Sequence, residues 1–249
     1  MNCKAAHQRI LKGLQNYLKK SGHNKVVLGL SGGVDSALTF KLAIDALGNR
    51  SVAVLIMPEL GLTDGKNIDH AKKLASFFRA KTYYVPINNL ITDFAITAWK
   101  PNKIAQMNTK ARIRSVLLYN YANTNNALVL GTSNKSELLL GYGTKYGDLA
   151  ADLEVIGSLY KTEVYALAEF LNLPEEILKK APTAELTANQ TDEKELGASY
   201  TILDQILTGL ELKKSLTSLV KAGFSLELIK IIQKRILDNS HKNKMPPVL

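Results

Sequence analysis

The chain has one cysteine, Cys3, in 249 residues. That excludes an internal disulfide framework and a cysteine-built zinc cage, and Cys3 reads as incidental. No apolar run approaches the roughly 20 residues a bilayer-spanning helix needs. The N-terminus has charges but no apolar core of the signal-peptide kind. These absences predict a soluble, cytoplasmic protein with no membrane partner. Acidic residues are missing from the first 25 positions, which carry six Lys/Arg, and the whole chain has a formal net charge of +10. Basic excess fits a polyanionic partner, whether nucleic acid or ATP with a phosphorylated small substrate, and it fits a solvated basic face equally well. Internal repeats are absent too. What the chain does have is apolar residues, 46% of the total. At this length they can bury a substantial core, predicted as a single α/β domain over 1–249 with a helical extension from about 199 to 249.

The most informative stretch is Leu28-Gly29-Leu30-Ser31-Gly32-Gly33-Val34-Asp35-Ser36-Ala37. An apolar run from Val26 to Leu30 reads as a buried strand, and the apolar-periodic segment from Ala37 to Leu47 reads as a helix. A tight glycine turn between them leaves helix N-terminal N–H groups unpaired and pointing one way, a ready anion site. Gly32 and Gly33 let the backbone approach a phosphate with no Cβ in the way, and Ser31 and Ser36 offer hydroxyl donors. Asp35 is the odd member. A carboxylate beside a phosphate repels it unless a divalent cation lies between them, so Asp35 suggests Mg²⁺. The spacing is neither Walker A nor Gly-x-Gly-x-x-Gly. It resembles the Ser-Gly-Gly-x-Asp-Ser loop of the ATP pyrophosphatases.

Along the chain, the spacing predicts an amphipathic helix over 5–20, a strand over 26–30 and a helix ending near Gly48. A strand over 52–57 is stopped by Pro58, and residues 58–66 form a loop. A helix follows with Ile68, Ala71, Leu74, Ala75 and Phe78 in register, then a strand over 82–85. Residues 88–99 and 103–123 read as two helices; the second packs on its own sheet or on a partner subunit. A fourth strand over 127–130 leads to a short helix over 135–140 and a Gly/Tyr-rich loop. Val155-Ile156 reads as a short fifth strand, and 161–171 as a helix. The polar composition of 183–198 predicts a mobile segment that orders on ligand binding. The remainder reads as two or three helices. Apolar strands alternating with helices indicate an open parallel sheet of about five strands with helices on both faces. In the order 3-2-1-4-5, the winding reverses between strands 1 and 4, which is where such sheets bind ligands. That topology alone brings Thr132 and Glu137 to the phosphate turn, with Glu137 able to face Asp35 across a metal ion.

Further segments make a closer resemblance. Asn108-Thr-Lys-Ala-Arg112-Ile-Arg114, Gly131-Thr132, Glu137, Thr144-Lys145-Tyr-Gly-Asp148, Ala151-Asp152 and Tyr160-Lys161 occur in that order. Ala181-Pro-Thr183-Ala-Glu185-Leu186, Asp192-Glu193-x-Glu195-Leu196-Gly197 and His241-Lys242 follow. Together they resemble the ammonia-dependent NAD⁺ synthetases over about residues 25–245. The resemblance implies a Rossmann-like fold of the adenine nucleotide alpha hydrolase type. It implies a ligase that converts deamido-NAD⁺, ATP and ammonia into NAD⁺, AMP and pyrophosphate through an acyl adenylate. By similarity, Gly29, Leu30, Ser31, Gly32, Gly33, Val34, Asp35 and Ser36 cradle ATP, and Thr132, Lys161 and Thr183 contact it. Asp35 and Glu137 hold Mg²⁺. Arg112, Lys145, Asp152, His241 and Lys242 contact deamido-NAD⁺. Asp35, Lys161 and Asp148 are the expected catalytic residues, Asp148 for deprotonating ammonium. The resemblance also implies a homodimer, with small-molecule substrates and no nucleic acid.

The chain departs from the family pattern at Tyr142-Gly143, Leu149-Ala150 and Ile56-Met57-Pro58, where many relatives have Phe-Phe, Gly-Gly and Arg-Leu-Pro. Glutamine-using relatives carry an extra glutaminase domain, and no stretch here is long enough to supply one, so ammonia is the expected nitrogen source. Two alternatives remain: a tRNA-modifying ATP pyrophosphatase, favoured by the charge, and a non-enzymatic ATP-binding regulator of the same fold. The first usually appends an RNA-binding module or catalytic cysteines, and the second would need no Lys145, Lys161 and Asp152.

Overall fold

The structure is a computed structural model, and it describes residues 1–180, 182–183, 186–187 and 191–248. Helix α1 (Cys3–Ser21) starts where the Asn2 side chain accepts the Ala5 N–H and stops at Gly22, whose φ of 72° is left-handed. It buries Ala6, Ile10, Leu14 and Leu18, one residue per turn on one face. Strand β1 (Val26–Gly29) then enters the sheet, followed by α2 (Val34–Leu47), β2 (Val52–Ile56) and α3 (Gly65–Phe77). Next come β3 (Lys81–Tyr84), α4 (Asn88–Phe94), α5 (Lys103–Asn125), β4 (Leu128–Gly131), α6 (Lys135–Leu140) and β5 (Leu153–Glu154). Helices α7 (Lys161–Phe170), α8 (Glu175–Leu178), α9 (Asp192–Leu196), α10 (Tyr200–Glu211), α11 (Leu216–Lys221) and α12 (Leu226–Asn239) complete the order.

The five strands form an all-parallel sheet in the order β3-β2-β1-β4-β5. Val26 pairs with Val52 on one side and with Leu128 on the other. Strand side chains alternate between faces, and that alternation sorts the core. Leu28, Val54, Ile56 and Leu130 belong to the cluster built with α1, α2 and α7, while Val27, Ala53, Leu55 and Val129 join Ile113 and Ala122 of α5. A third cluster belongs to the later helices, with Leu203, Ile206 and Leu207 of α10 against Leu219, Ile229 and Ile232, and it includes Leu140 of α6. No helix among the described residues is long and apolar enough to cross a membrane.

Four expectations change. The fifth strand is Leu153–Glu154, which pairs with Leu130 and Gly131, and not Val155-Ile156. Val155 and Ile156 instead turn into the main core, so their apolar character reports burial and not pairing. Strand β3 is an edge whose four residues are all exposed, not a strand covered on both faces. Lysines lie over its tyrosine rings, Lys72 on Tyr84 at 4.4 Å and Lys81 on Tyr83 at 5.3 Å. Helix α4 ends at Phe94 and leaves Phe94, Ile96 and Trp99 exposed. Within the segment expected to be mobile, α9 is a helix with buried Asp192 and Leu196, while Ala184, Glu185 and 188–190 lie outside the described residues.

Candidate active site

The turn after β1 is shaped by contact on its back. Gly32 has a φ of 81°, and a Cβ there would lie 2.3 Å from the backbone oxygen of Asn67 in α3. Only glycine fits such a position. Gly33 caps α2 without a side-chain hydrogen bond, so the helix presents its N-terminal N–H groups to the space above the sheet. The two serines brace the turn: Ser31 Oγ lies 3.0 Å from Ser36 Oγ, and Ser36 Oγ donates to the Gly33 carbonyl at 3.1 Å. Their hydroxyls hold the loop in shape.

Above the turn is a charge cluster drawn from four elements. Asp35, in the first turn of α2, has Oδ2 2.5 Å from Lys161 Nζ, and its Oδ1 accepts from Asn134 Nδ2 at 3.0 Å. Lys161 Nζ also lies 3.6 Å from Glu137 Oε1 and 5.2 Å from the centre of the Tyr200 ring. Asn134 and Glu137 form a capping box at the start of α6, each bonding the other's backbone N–H. One motif thereby fixes both the asparagine that holds Asp35 and the glutamate that faces it.

Lys161 opens α7 and is only 2% exposed. Its backbone N–H donates to Ser136 Oγ at 2.9 Å, and Ser136 Oγ donates to Asp204 Oδ1 at 2.5 Å. Asp204, from α10, also accepts the Thr162 N–H at 2.9 Å. A buried carboxylate at a helix N-terminus matches both the orphan donors and the helix dipole there. The later helices are thus wired to the lysine at the centre of the cluster.

Burial raises the Glu137 carboxyl above the ordinary range, against the pull of Lys161. Burial works to lower the Lys161 ammonium, but Asp35 and then Glu137 outweigh it and hold the lysine charged. Asp192 adds negative charge nearby; its carboxylate accepts from Tyr142 Oη at 3.2 Å and from Tyr200 Oη at 3.0 Å.

Asp35, Glu137, Lys161, Tyr142 and Asp192 line a cavity of about 580 Å³ beyond the carboxyl ends of β1 and β4. Every residue of 29–36 except Gly32 lines it, as do Thr132, Glu137, Asp148, Lys161, Thr183 and Lys242. Asp148 is reachable from the cavity, while surrounding protein pushes its carboxyl up; one oxygen accepts the Thr144 N–H at 3.0 Å. Lys242 Nζ donates to the carbonyls of Gly141 and Gly143 at 2.8 and 3.0 Å, and burial, then Arg235, lowers its ammonium.

Arg112, Lys145, His241 and Asp152 do not line the cavity. The first three form a chain beside it: Arg112 Nε donates to the Lys145 carbonyl at 3.3 Å, and Lys145 Nζ to the His241 carbonyl at 2.8 Å. Asp152 is turned toward the sheet, where its carboxylate accepts the Val129 N–H at 2.7 Å and the Tyr119 hydroxyl at 3.2 Å. In this structure its carboxylate is bound to the backbone of β4.

Sequence reasoning gave no site role to Asn134, Asp192, Tyr200, Asp204 and Arg235. Asn134 had a signal, the Asn-x-x-Glu spacing of a capping box, and Asp192 stood in a motif without a role. Tyr200, Asp204 and Arg235 join through contacts distant in sequence, which no local pattern announces.

Asp35 and Glu137 fit a divalent cation, because two carboxylates already flank one positive charge. No group of three or more His, Cys, Asp or Glu able to hold a metal occurs among the described residues. Substrate oxygens or waters would have to complete the shell.

A family model described as NAD synthase matches residues 6–246. The NH(3)-dependent NAD(+) synthetase of Campylobacter jejuni is 44% identical over 238 residues, covering 95% of this chain and 94% of that protein. The solved NMN synthetase of Francisella tularensis is similar with a TM-score of 0.90 at 31% identity, covering 100% of this chain and 99% of that one. The solved NH3-dependent NAD synthetase of Campylobacter jejuni gives 0.85 at 36%, with the same coverage.

Proposed function

Because the chain belongs to the NAD synthase family, we propose that its cavity carries out the ATP-dependent amidation of deamido-NAD⁺ by ammonia, giving NAD⁺, AMP and pyrophosphate. The observation that carries this reading is the Asp35–Lys161–Glu137 cluster set directly above a glycine turn and a helix N-terminus. A carboxylate is a poor acyl donor, because oxide cannot leave. Its oxygen attacks the α-phosphorus of ATP, the bond to the β-phosphate bridge oxygen breaks, and pyrophosphate departs. Ammonia then adds to the activated carbonyl, and AMP leaves with the bonding pair.

The chain's part in this is positioning and electrostatics. The 29–36 turn and the start of α2 hold the triphosphate through backbone N–H groups. Thr132 and Thr183, both in the cavity lining, contact ATP. Lys161 balances the charge that grows on the departing diphosphate. Asp148, its carboxyl raised by burial, takes the proton that ammonium or the attacking amine must lose. Asp35 and Glu137 would hold Mg²⁺, which shields phosphate charge. Lys242, with the Arg112, Lys145 and His241 chain beside it, would receive the phosphates of deamido-NAD⁺. Asp152 contributes from below, through the backbone of β4.

The chain acts as one synthetase domain over 1–249, with the helices from about 199 as its extension. It pairs with a second copy through α5, which leaves Ile104 and Val116 exposed, and it works in the cytoplasm.

AMP release with ATP, Mg²⁺ and ammonium should require deamido-NAD⁺. Release without it would defeat the assignment. A second reading comes from the TM-score of 0.90 to a protein described as an NMN synthetase: the acceptor is the mononucleotide acid. Running nicotinic acid mononucleotide in parallel separates the two by kcat/KM.

A further inference from the structure

We propose that Lys161 is the resident cation of the Asp35–Glu137 pair, so that divalent metal enters this site together with nucleotide and not before it. The inference rests on the reading of Asp35 and Glu137 as the metal carboxylates.

The geometry is that of an occupied cation site. Lys161 Nζ sits 2.5 Å from Asp35 Oδ2 and 3.6 Å from Glu137 Oε1, between the two groups that would ligate the ion. The remaining surroundings suit a cation as well. The Tyr200 ring faces the ammonium at 5.2 Å, and Tyr200 is itself anchored through its hydroxyl to Asp192. Asn134 holds the other oxygen of Asp35 at 3.0 Å. Asp35 is thereby presented to the lysine in a fixed orientation.

A metal ion arriving alone would meet that ammonium at contact distance. The lysine is 2% exposed, and its ammonium is held on the two carboxylates. Its backbone cannot retreat, since the start of α7 is tied to Ser136 and Asp204. Displaced, it would be a buried charge without a partner, which is costly. A triphosphate changes the balance. It brings anionic oxygens to the adjacent 29–36 turn, within the same cavity. The flexible four-carbon stem of Lys161 can then turn its ammonium onto phosphate, leaving both carboxylates to the metal. Lysine and metal exchange places, and each charge stays paired at every stage. Ordered entry of this kind also keeps Asp35 and Glu137 from repelling one another in the empty protein.

The test uses Mn²⁺ as the probe and the full chain, with bound ion counted by electron paramagnetic resonance and no deamido-NAD⁺ present. Wild type with Mn²⁺ alone should bind at least tenfold more weakly than Lys161→Met with Mn²⁺ alone. Asp35→Asn in the Lys161→Met background should abolish the gain, which locates it at the pair. Wild type with ATP should take up Mn²⁺ beyond what ATP binds by itself. Wild type that binds Mn²⁺ alone as tightly as Lys161→Met, or a folded Lys161→Met that gains nothing, overturns the exchange. Should Lys161→Met not fold, wild type alone still decides: tight nucleotide-free Mn²⁺ binding lost in Asp35→Asn overturns it, and binding seen only with ATP supports it. Failure of the ATP arm is a different outcome, since it removes the metal reading of the pair, and the exchange with it.

Discussion

The two ends of the cavity are built on opposite principles. At the β1 end, charged side chains pair with one another in buried surroundings: Lys161 with Asp35 and Glu137, braced by Asn134, Ser136 and Asp204. At the far end and just outside it the cations rest on backbone carbonyls: Lys242, which lines the cavity, on Gly141 and Gly143, and beside it Lys145 on His241 and Arg112 on Lys145. A carbonyl is a weaker partner for a cation than a carboxylate, so a phosphate can take these groups over with little loss. Pre-paired charge sets geometry for a chemical step, while lightly held charge waits for a ligand. Removing a side chain should therefore depress turnover at the first end and substrate affinity at the second.

The largest effect is expected at Asp35. Asp35→Asn keeps the volume and one acceptor oxygen but removes the nearest partner of Lys161 and one of the two carboxylates proposed to hold the metal. Turnover should fall by about 10³-fold, on the scale of losing one preorganised electrostatic group, with the far-ultraviolet spectrum unchanged. Turnover within a few-fold of wild type would erase the distinction between the two ends.

Asp204→Ala tests whether the β1 end depends on its brace. Asp204 touches no part of the cavity lining, yet its oxygens take the Ser136 hydroxyl and the Thr162 N–H. Leaving those donors buried and unpaired should cost roughly 3 kcal/mol of stability. It should also lower kcat, because the start of α7 carries Lys161. Asp204→Asn, which retains one acceptor, should recover most of the stability in a denaturant melt. A stability loss with kcat intact would make Asp204 a packing residue only.

At the far end, Lys145→Ala and Arg112→Ala should raise KM for deamido-NAD⁺ about tenfold, in line with one lost charge-assisted bond. The KM for ATP and kcat should stay near wild type. A fall in kcat with KM unchanged would place these residues in the chemistry instead.

How much of this could be read from the sequence follows the same division. The strand order, the glycine turn and the convergence of Asp35, Thr132 and Glu137 were legible because each rests on a local pattern plus one topological rule. Lys161 and Lys242 were legible through motifs. The brace was not, because Asp204 meets Ser136 across 68 positions, and an aspartate within an amphipathic helix carries no local sign of a buried partner. Asp152 was read as a dinucleotide contact from its motif, and its carboxylate accepts the Val129 N–H, a contact across two strands that the motif did not announce. The fifth strand was misplaced by two residues because a short apolar pair marks burial as readily as pairing.

The smallest effect on turnover, and the most specific one on stability, is expected at Glu154, which belongs to neither set of cations. Its carboxylate accepts the Ser133 N–H at 3.0 Å and fills the space beside Gly131, where a Cβ would lie 2.2 Å from Oε2. Burial raises its pKa to about 7 from 4.5, opposed by the Ser133 N–H and assisted by Asp148. A carboxyl raised on folding binds more protons folded than unfolded between those two values, so stability is fully present below the lower one and declines as pH rises through the upper one. The decline is roughly 3 kcal/mol at most. A glutamine side chain in its place cannot titrate and keeps an acceptor for Ser133. Glu154→Gln should therefore melt close to wild type at pH 4.5 and measurably above it at pH 8. A gap between the two melting curves that stays constant with pH would mean that Glu154 does not change its protonation between those two values, and the raised carboxyl would be overturned.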